Sequence, residues 1–206
     1  RLNTPGNANS NAVWQIHLDF LIKNHSRVSL NYLFDEFVLD PDIEIGKEHG
    51  RAFSLKYIYF IKGSNKRIFN FFISHTLVGT PTFRHGLGTN NFVNQNRPLG
   101  WEYGSDGLET MIGLSVLKIK EILGQFNIGI VEMGDETIIK RSLEPYKDYL
   151  EEKFPSGEID RILFLRSKIQ KKINNNLSIT LSSEIKNKTN LKNFQTNISI
   201  KTLYCF

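Results

Sequence analysis

The chain has 206 residues, of which 40% are hydrophobic and 12% aromatic, and it carries a formal net charge of +5 at pH 7. This composition predicts a single folded domain and excludes a disordered chain. No run of roughly 18 or more apolar residues occurs, which excludes a membrane-spanning helix, and the single cysteine, Cys205, excludes an intrachain disulfide.

The predicted elements are β-strands, because apolar side chains recur at every second position in nine segments. Successive side chains of a strand point to opposite sides, so each segment has one apolar face and one polar face. The seventh segment is the least regular, because Arg161 and Arg166 fall on opposite faces. In chain order the segments are 12–22, 28–34, 53–61, 69–77, 108–116, 126–130, 162–169, 177–185 and 194–206.

The connections between these strands alternate in length. Four are short polar turns, with the sequences KNHS, KGSNK, KEILGQ and KKINNN, and the connections between them are longer. Antiparallel transmembrane β-barrels have short periplasmic turns at one rim and long external loops at the other. A soluble lipocalin-like barrel or a β-sandwich has the same alternation of side chains, but no physical reason to sort its loops by length. We therefore expect a transmembrane barrel, with the soluble fold as the alternative.

The last predicted strand has Tyr204 and Phe206 on its apolar face. It resembles the C-terminal signature that the insertion machinery of the bacterial outer membrane recognises, and an aromatic ring there suits the membrane interface. With Phe206 at the periplasmic rim, the first strand runs inward from an external loop. Complete single-chain bacterial barrels have even strand numbers and both termini in the periplasm, so we expect the C-terminal half of a larger barrel.

The most distinctive segment is FRHGLGTNNFVNQNRPLGWEYGSDG, residues 83–107. Together with the stretch YLFDEF, it resembles the Wzi family of outer-membrane capsule-assembly proteins, over about residues 10–135 and the barrel ending. The resemblance implies a barrel of about eighteen strands that organises or attaches capsular polysaccharide at the cell surface. The matching positions are Arg84, His85, Gly86, Arg97, Pro98, Leu99, Gly100, Gly104 and Asp106.

Side chains of this segment are also suited to binding a glycan. Trp101 and Tyr103 offer flat apolar faces to sugar rings, and Asp106 accepts hydrogen bonds from hydroxyl groups. Arg84 and Arg97 can pair with uronate or phosphate groups of an acidic polymer. His85 of the same segment is the sixth candidate residue for binding the glycan. In the alternative interpretation the segment folds into the barrel mouth, where these arginines pair with acidic residues of the same region and the glycines permit tight turns.

No catalytic or metal-binding motif accompanies the segment. His85, Ser105 and Asp106 lie close in sequence, and His75 adjoins Ser74 on the fourth predicted strand. No GxSxG elbow is present, so we expect no enzyme activity. The five histidines are scattered without metal-ligand spacing, and no Gly-rich phosphate-binding motif occurs. We expect neither a metal nor a cofactor, and no nucleic-acid partner.

The sequence thus predicts a barrel in the outer membrane of a Gram-negative bacterium. Its expected partners are outer-membrane lipid, a surface or capsular polysaccharide and, through Phe206, the barrel insertion machinery. The alternatives are a porin-like channel and a structural barrel of a gliding or secretion machine. The short turns are rich in lysine and two predicted external loops are acidic, a distribution that the sequence by itself does not explain.

Overall fold

The computed structural model of the chain describes residues 13–35, 50–84, 88, 91–95, 97–118, 122–142, 153–174, 176–188 and 194–204. Eleven β-strands and no α-helix lie within these ranges. The strands are β1 (Val13–Ile22), β2 (Ser26–Asp35), β3 (Gly50–Lys62), β4 (Arg67–Val78), β5 (Val93–Asn94), β6 (Arg97–Pro98), β7 (Gly107–Lys118), β8 (Ile122–Met133), β9 (Asp160–Lys172), β10 (Leu177–Lys188) and β11 (Phe194–Tyr204). Over the same part of the chain, no helix has the length and hydrophobicity needed to cross a bilayer.

Nine of the strands form one antiparallel sheet in the order β1-β2-β3-β4-β7-β8-β9-β10-β11. The two-residue strands β5 and β6 pair with each other in the connection between β4 and β7. The prediction of an all-β antiparallel fold with nine main strands is therefore confirmed. In the described residues β1 and β11 are the edges of the sheet and do not pair with each other. Cys205 and Phe206 lie outside these residues.

The strands are longer than the alternation alone indicates. The predicted turn KEILGQ was wrong in its second half, since Ile122 opens β8 and pairs with Lys118 across the turn. The irregular seventh segment forms β9, which is 13 residues long. Ladder hydrogen bonds continue where a polar residue or a glycine interrupts the apolar pattern, because they join backbone groups and do not depend on the side chain.

One face of the sheet is apolar across its whole width. A single cross-strand row illustrates this face: Phe20, Val28, Tyr57, Ile73, Ile112, Ile128, Leu165, Ile185 and Thr196. These side chains are not covered by other parts of the described chain. Ile73, Ile112 and Ile128, near the middle of the sheet, are 49%, 52% and 54% exposed.

Charged residues bound this apolar face at both ends of β9. On the side of the long connections, Arg161 of β9 pairs with Glu132 of β8, with 2.7 Å between Nε and Oε1. On the side of the short turns, Lys171 follows Ile169 on the same face of β9. The apolar surface therefore has a defined upper and lower limit on this strand.

The opposite face carries the polar residues and the small buried core. The core consists of two clusters near the long connections. The larger one contains Tyr103, Val131, Met133, Ile162 and Phe164. Below it, polar pairs such as Thr76 with Ser54, whose hydroxyl oxygens are 3.2 Å apart, cross between strands.

Two glycines of β8 provide a test of this packing. A Cβ atom on Gly129 would lie 2.6 Å from the carbonyl oxygen of Thr110 and 2.5 Å from the Phe164 ring, whereas one on Gly124 would meet nothing closer than 3.8 Å. We expect Gly129→Val to lower the free energy of unfolding by about 1–3 kcal/mol through overcrowding. Gly124→Val is the matched control and should not destabilise the protein. Denaturant titration followed by tryptophan fluorescence measures both, and equal effects would contradict the register.

Candidate functional site

The connection between β4 and β7 folds over the polar face of the sheet. Tyr103 is buried against Val131 and Phe164, and Trp101 packs beside it with the ring centroids 5.3 Å apart. The indole Nε1 of Trp101 donates to Oε2 of Glu109 on β7, at 3.1 Å. These contacts fix the last part of the loop to the strands that it covers.

Asp106, at the end of this loop, is fully buried and acts as a multiple hydrogen-bond acceptor. Its Oδ1 accepts from Oγ1 of Thr80 at 2.8 Å and from the backbone N–H of Ser156 at 3.0 Å. Its Oδ2 accepts from Oγ of Ser156 at 2.5 Å and from the backbone N–H of Glu136 at 3.1 Å. A buried carboxylate with four donors satisfies its hydrogen-bonding capacity within the protein. It joins the β4–β7 connection to the β8–β9 connection.

Arg84 joins the same two connections from within the structure. Its side chain is 1% exposed. The guanidinium donates from Nε to the carbonyl oxygen of Thr80 and from Nη1 to that of Arg141, both at 3.2 Å, and from Nη2 to that of Glu136.

A third set of contacts completes this junction. Oγ1 of Thr137 donates to the carbonyl oxygen of Tyr103 at 2.9 Å, and the N–H of Ile138 donates to Oγ of Ser105 at 3.1 Å. We call this set of residues the loop clasp: Thr80, Arg84, Ser105, Asp106, Thr137 and Ser156. It holds two long connections in a single arrangement at one rim of the sheet.

The six residues predicted from the sequence to bind a glycan occupy different environments. Three are buried, one is half-buried, one is exposed and one lies outside the described residues. They are, in that order, Arg84, Tyr103 and Asp106, then Trp101, then Arg97, then His85. The structure places Arg84 and Asp106 together in the loop clasp, whereas Arg97 lies apart on β6.

Arg166 of β9 links the loop to the sheet. It was not predicted from the sequence to be part of the site. Its Nε lies 2.6 Å from Oε1 of Glu184, and its Nη2 lies 2.5 Å from Oε1 of Glu102. The same Nη2 donates to the hydroxyl oxygen of Tyr103 at 3.0 Å. Burial, together with the carboxylate of Glu102, raises the pKa of Tyr103. The phenol therefore stays neutral.

A groove of about 370 Å³ adjoins this cluster on the polar face of β8–β11. Amide, hydroxyl and ammonium groups line it: Gln125, Asn127, Lys168, Ser182, Asn197 and Ser199. The Oδ1 atom of Asn127 is buried and makes no hydrogen bond among the described residues. Lys168 is exposed and forms no ion pair with any described carboxylate.

The groove was not predicted, although its residues occupy the polar positions of predicted strands. Alternation indicates which side chains share a face of one strand. The register between strands, which brings Lys168 opposite both Gln125 and Ser182, is set by the ladder and was not inferred from the sequence.

The residues weighed for catalysis lie at separate places in the described structure, and His85 lies outside the described residues. Ser105 is fully buried, and its hydroxyl is used in the loop clasp. His75 lies on the apolar face, where its Nδ1 is 2.9 Å from Oγ1 of Thr110, while the adjacent Ser74 points to the polar face. Within the described ranges, no three His, Cys, Asp or Glu side chains come together as metal ligands.

The chain matches no protein-family model, no curated protein and no solved structure. The resemblance to the Wzi family stays a prediction that depends on the motifs of residues 83–107.

Two arginines of the β4–β7 connection test the structural role of the loop clasp. Arg84→Ala should lower the free energy of unfolding by about 3 kcal/mol, because a buried side chain is removed and three carbonyl groups lose its hydrogen bonds. Arg97→Ala is the matched control, and since Arg97 is exposed the change should be about 0.5 kcal/mol or less. Chemical denaturation measures the difference, and limited proteolysis of the loops should be faster only in the Arg84 variant. Similar stability of the two variants would contradict this role.

Proposed function

We propose that this chain forms part of the wall of a bacterial outer-membrane β-barrel that binds a surface polysaccharide without catalysis. In this proposal the apolar face of the sheet contacts lipid and the polar face lines the aqueous interior. The loop clasp lies at the external rim, and the polysaccharide binds in the groove beside it.

The exposed apolar face is the observation that carries the membrane part of the proposal. Apolar side chains extend across all nine strands and are left open by the described chain, with Ile128 and Leu163 more than half exposed. Soluble monomers rarely expose contiguous apolar patches larger than a few hundred Å². Removing a large aliphatic or aromatic side chain from water stabilises by about 1.5–3 kcal/mol. Contact with the hydrocarbon of a bilayer removes all of these side chains from water at once.

The dimensions of the apolar face fit a bilayer. Arg161 and Lys171, which bound it on β9, are ten positions apart. At about 3.3 Å per residue they are separated by about 33 Å along the strand. Strands of transmembrane barrels tilt by about 40°, which reduces this length to a height of about 25 Å, the height of the apolar band of such barrels.

The open edges of the sheet favour a larger barrel. In hydrocarbon, the unpaired backbone groups along β1 and β11 would each cost several kcal/mol. Further strands that pair with both edges remove this cost. A barrel of about eighteen strands, which the Wzi resemblance implies, would contain this sheet as half of its wall.

The groove on the polar face supports the glycan part of the proposal. Sugars present many hydroxyl groups, and the groove combines side-chain amides, hydroxyls and the ammonium group of Lys168. Lys168 can pair with a uronate or a phosphate of an acidic polymer. Of the residues expected from the sequence to bind the glycan, Trp101 is half-buried, while Arg84 and Asp106 support the loop.

Charged substitutions on opposite faces of β4 test the membrane part. Ile73 lies on the apolar face and the adjacent Ser74 on the polar face. Arginine near the middle of the lipid-facing band costs about 2–4 kcal/mol. We expect Ile73→Arg to destabilise the protein in phospholipid vesicles, lowering its free energy of unfolding by this amount. Ser74→Arg should have a much smaller effect. Denaturant titration of the full-length protein in vesicles measures both, and an equal or reversed effect would count against the lipid-facing assignment.

Two lysines of the polar face test the glycan part. Lys168→Gln should weaken binding of the acidic surface polysaccharide of the source bacterium by about tenfold, the equivalent of about 1.4 kcal/mol for one charge-assisted hydrogen bond. Lys56→Gln is the control. Lys56, on β3, lies over the ring of Phe72 on β4, away from the groove. Calorimetry with the intact barrel measures the affinities. No binding by the wild-type protein, with conductance that sugars block, would instead favour the channel alternative.

A further inference from the structure

Charge is distributed unevenly between the short turns and the long connections of the chain. The short-turn regions, residues 23–26, 62–67, 118–122 and 171–177, contain eight Lys or Arg and one carboxylate. The long connections, residues 36–49, 79–106, 134–159 and 189–193, contain eight Lys or Arg and fourteen Asp or Glu. Solvation alone does not explain this separation, because water solvates positive and negative side chains at either end of the strands.

Part of the basic charge lies on the apolar face itself. Arg67 pairs with Lys118 across β4 and β7, Lys118 pairs with Ile122, and Ile122 pairs with Lys171. Three cations thus share one cross-strand row. This row comes directly after the apolar row of Phe69, Val116 and Ile169 on the same strands.

The cations of this region also differ from those of the opposite rim in their partners. Lys62, Lys66, Arg67, Lys171 and Lys172 are exposed, and none of them forms an ion pair in the described part of the chain. On the side of the long connections, by contrast, Lys140 bonds to Asp135 and Asp160, and Arg141 bonds to Glu136.

Exposed cations that form no ion pair in the described part of the chain attract anions from outside it. We propose that this basic rim, consisting of Lys66 in its turn and of Arg67 and Lys171 on the apolar face, binds the phosphate groups of anionic phospholipids in the adjacent leaflet. The inference rests on the membrane placement proposed above.

The position of the rim selects a lipid headgroup over a free phosphate ion. The cationic row borders apolar rows without a break, so a molecule held by Arg67 or Lys171 has its other atoms against Phe69 and Ile169. Further along the same strands, a shallow apolar groove of about 410 Å³ is lined by Phe71, Ile112, Leu114, Phe126, Ile128 and Leu165. An acyl chain fits this surface, and basic side chains at the edge of the hydrocarbon extend their charged ends toward headgroups.

Spin-labelled lipids test the inference directly. The full-length protein is reconstituted in phosphatidylcholine vesicles containing spin-labelled phosphatidylglycerol or, separately, spin-labelled phosphatidylcholine. Electron paramagnetic resonance measures the motionally restricted fraction of each label and hence their relative affinity for the protein. The wild-type protein should prefer phosphatidylglycerol several-fold, and the preference should weaken with added salt.

The variant Lys66→Gln/Arg67→Gln/Lys171→Gln should lose this preference. The matched control Arg97→Gln/Lys140→Gln/Lys153→Gln removes the same number of charges from the opposite rim and should retain it. If the wild-type protein restricts lipid without preferring phosphatidylglycerol, or if the two variants show equal preference, this inference alone is overturned. Absence of any restricted lipid would overturn the membrane placement as well.

Discussion

Contact between hydrocarbon and one face of the nine-stranded sheet is the interaction on which this account depends. The alternation of side chains places apolar groups on that face in every main strand, and the described chain leaves them uncovered. The buried core is small by comparison and is confined to the polar face near the long connections. In water the apolar face would be exposed without compensation. In a bilayer the same face becomes the main source of stability, because every apolar row contacts lipid.

The polar face is then available for a functional site, because the loop clasp fixes the two long connections at its rim. Asp106 and Arg84 use their hydrogen bonds to hold two long connections together. Arg166 attaches that assembly to β9 and β10 through Glu102 and Glu184. The groove beside this cluster is lined by side chains of β8, β9, β10 and β11, and in the proposed function it holds the polysaccharide.

Strand positions could be predicted from the sequence because a two-residue period is a local signal. The irregular points of the pattern have long-range causes that the sequence does not display. His75 interrupts an apolar row of β4 because it bonds to Thr110 on β7. On β9 the apolar face is interrupted by Arg161, which pairs with Glu132 of β8, whereas Arg166 lies on the polar face and reaches the carboxylates of Glu102 and Glu184. In the candidate site, Asp106 and Arg84 were chosen for their chemistry, yet their partners Ser156 and Arg141 lie about fifty residues away in another loop. The groove likewise depends on register among four strands, and register follows from the ladder as a whole.

A nitroxide scan of β10 tests the lipid-facing assignment most directly. In a Cys205→Ala background, single labels at positions 178–185 of the reconstituted full-length protein report collision with oxygen, which concentrates in hydrocarbon, and with a water-soluble nickel complex. Labels at Ile179, Leu181 and Ile185 should favour oxygen, and labels at Ser178, Thr180, Ser182 and Glu184 should favour the nickel complex or be shielded from both. High nickel accessibility at the apolar positions, or loss of the two-residue period, would contradict the account.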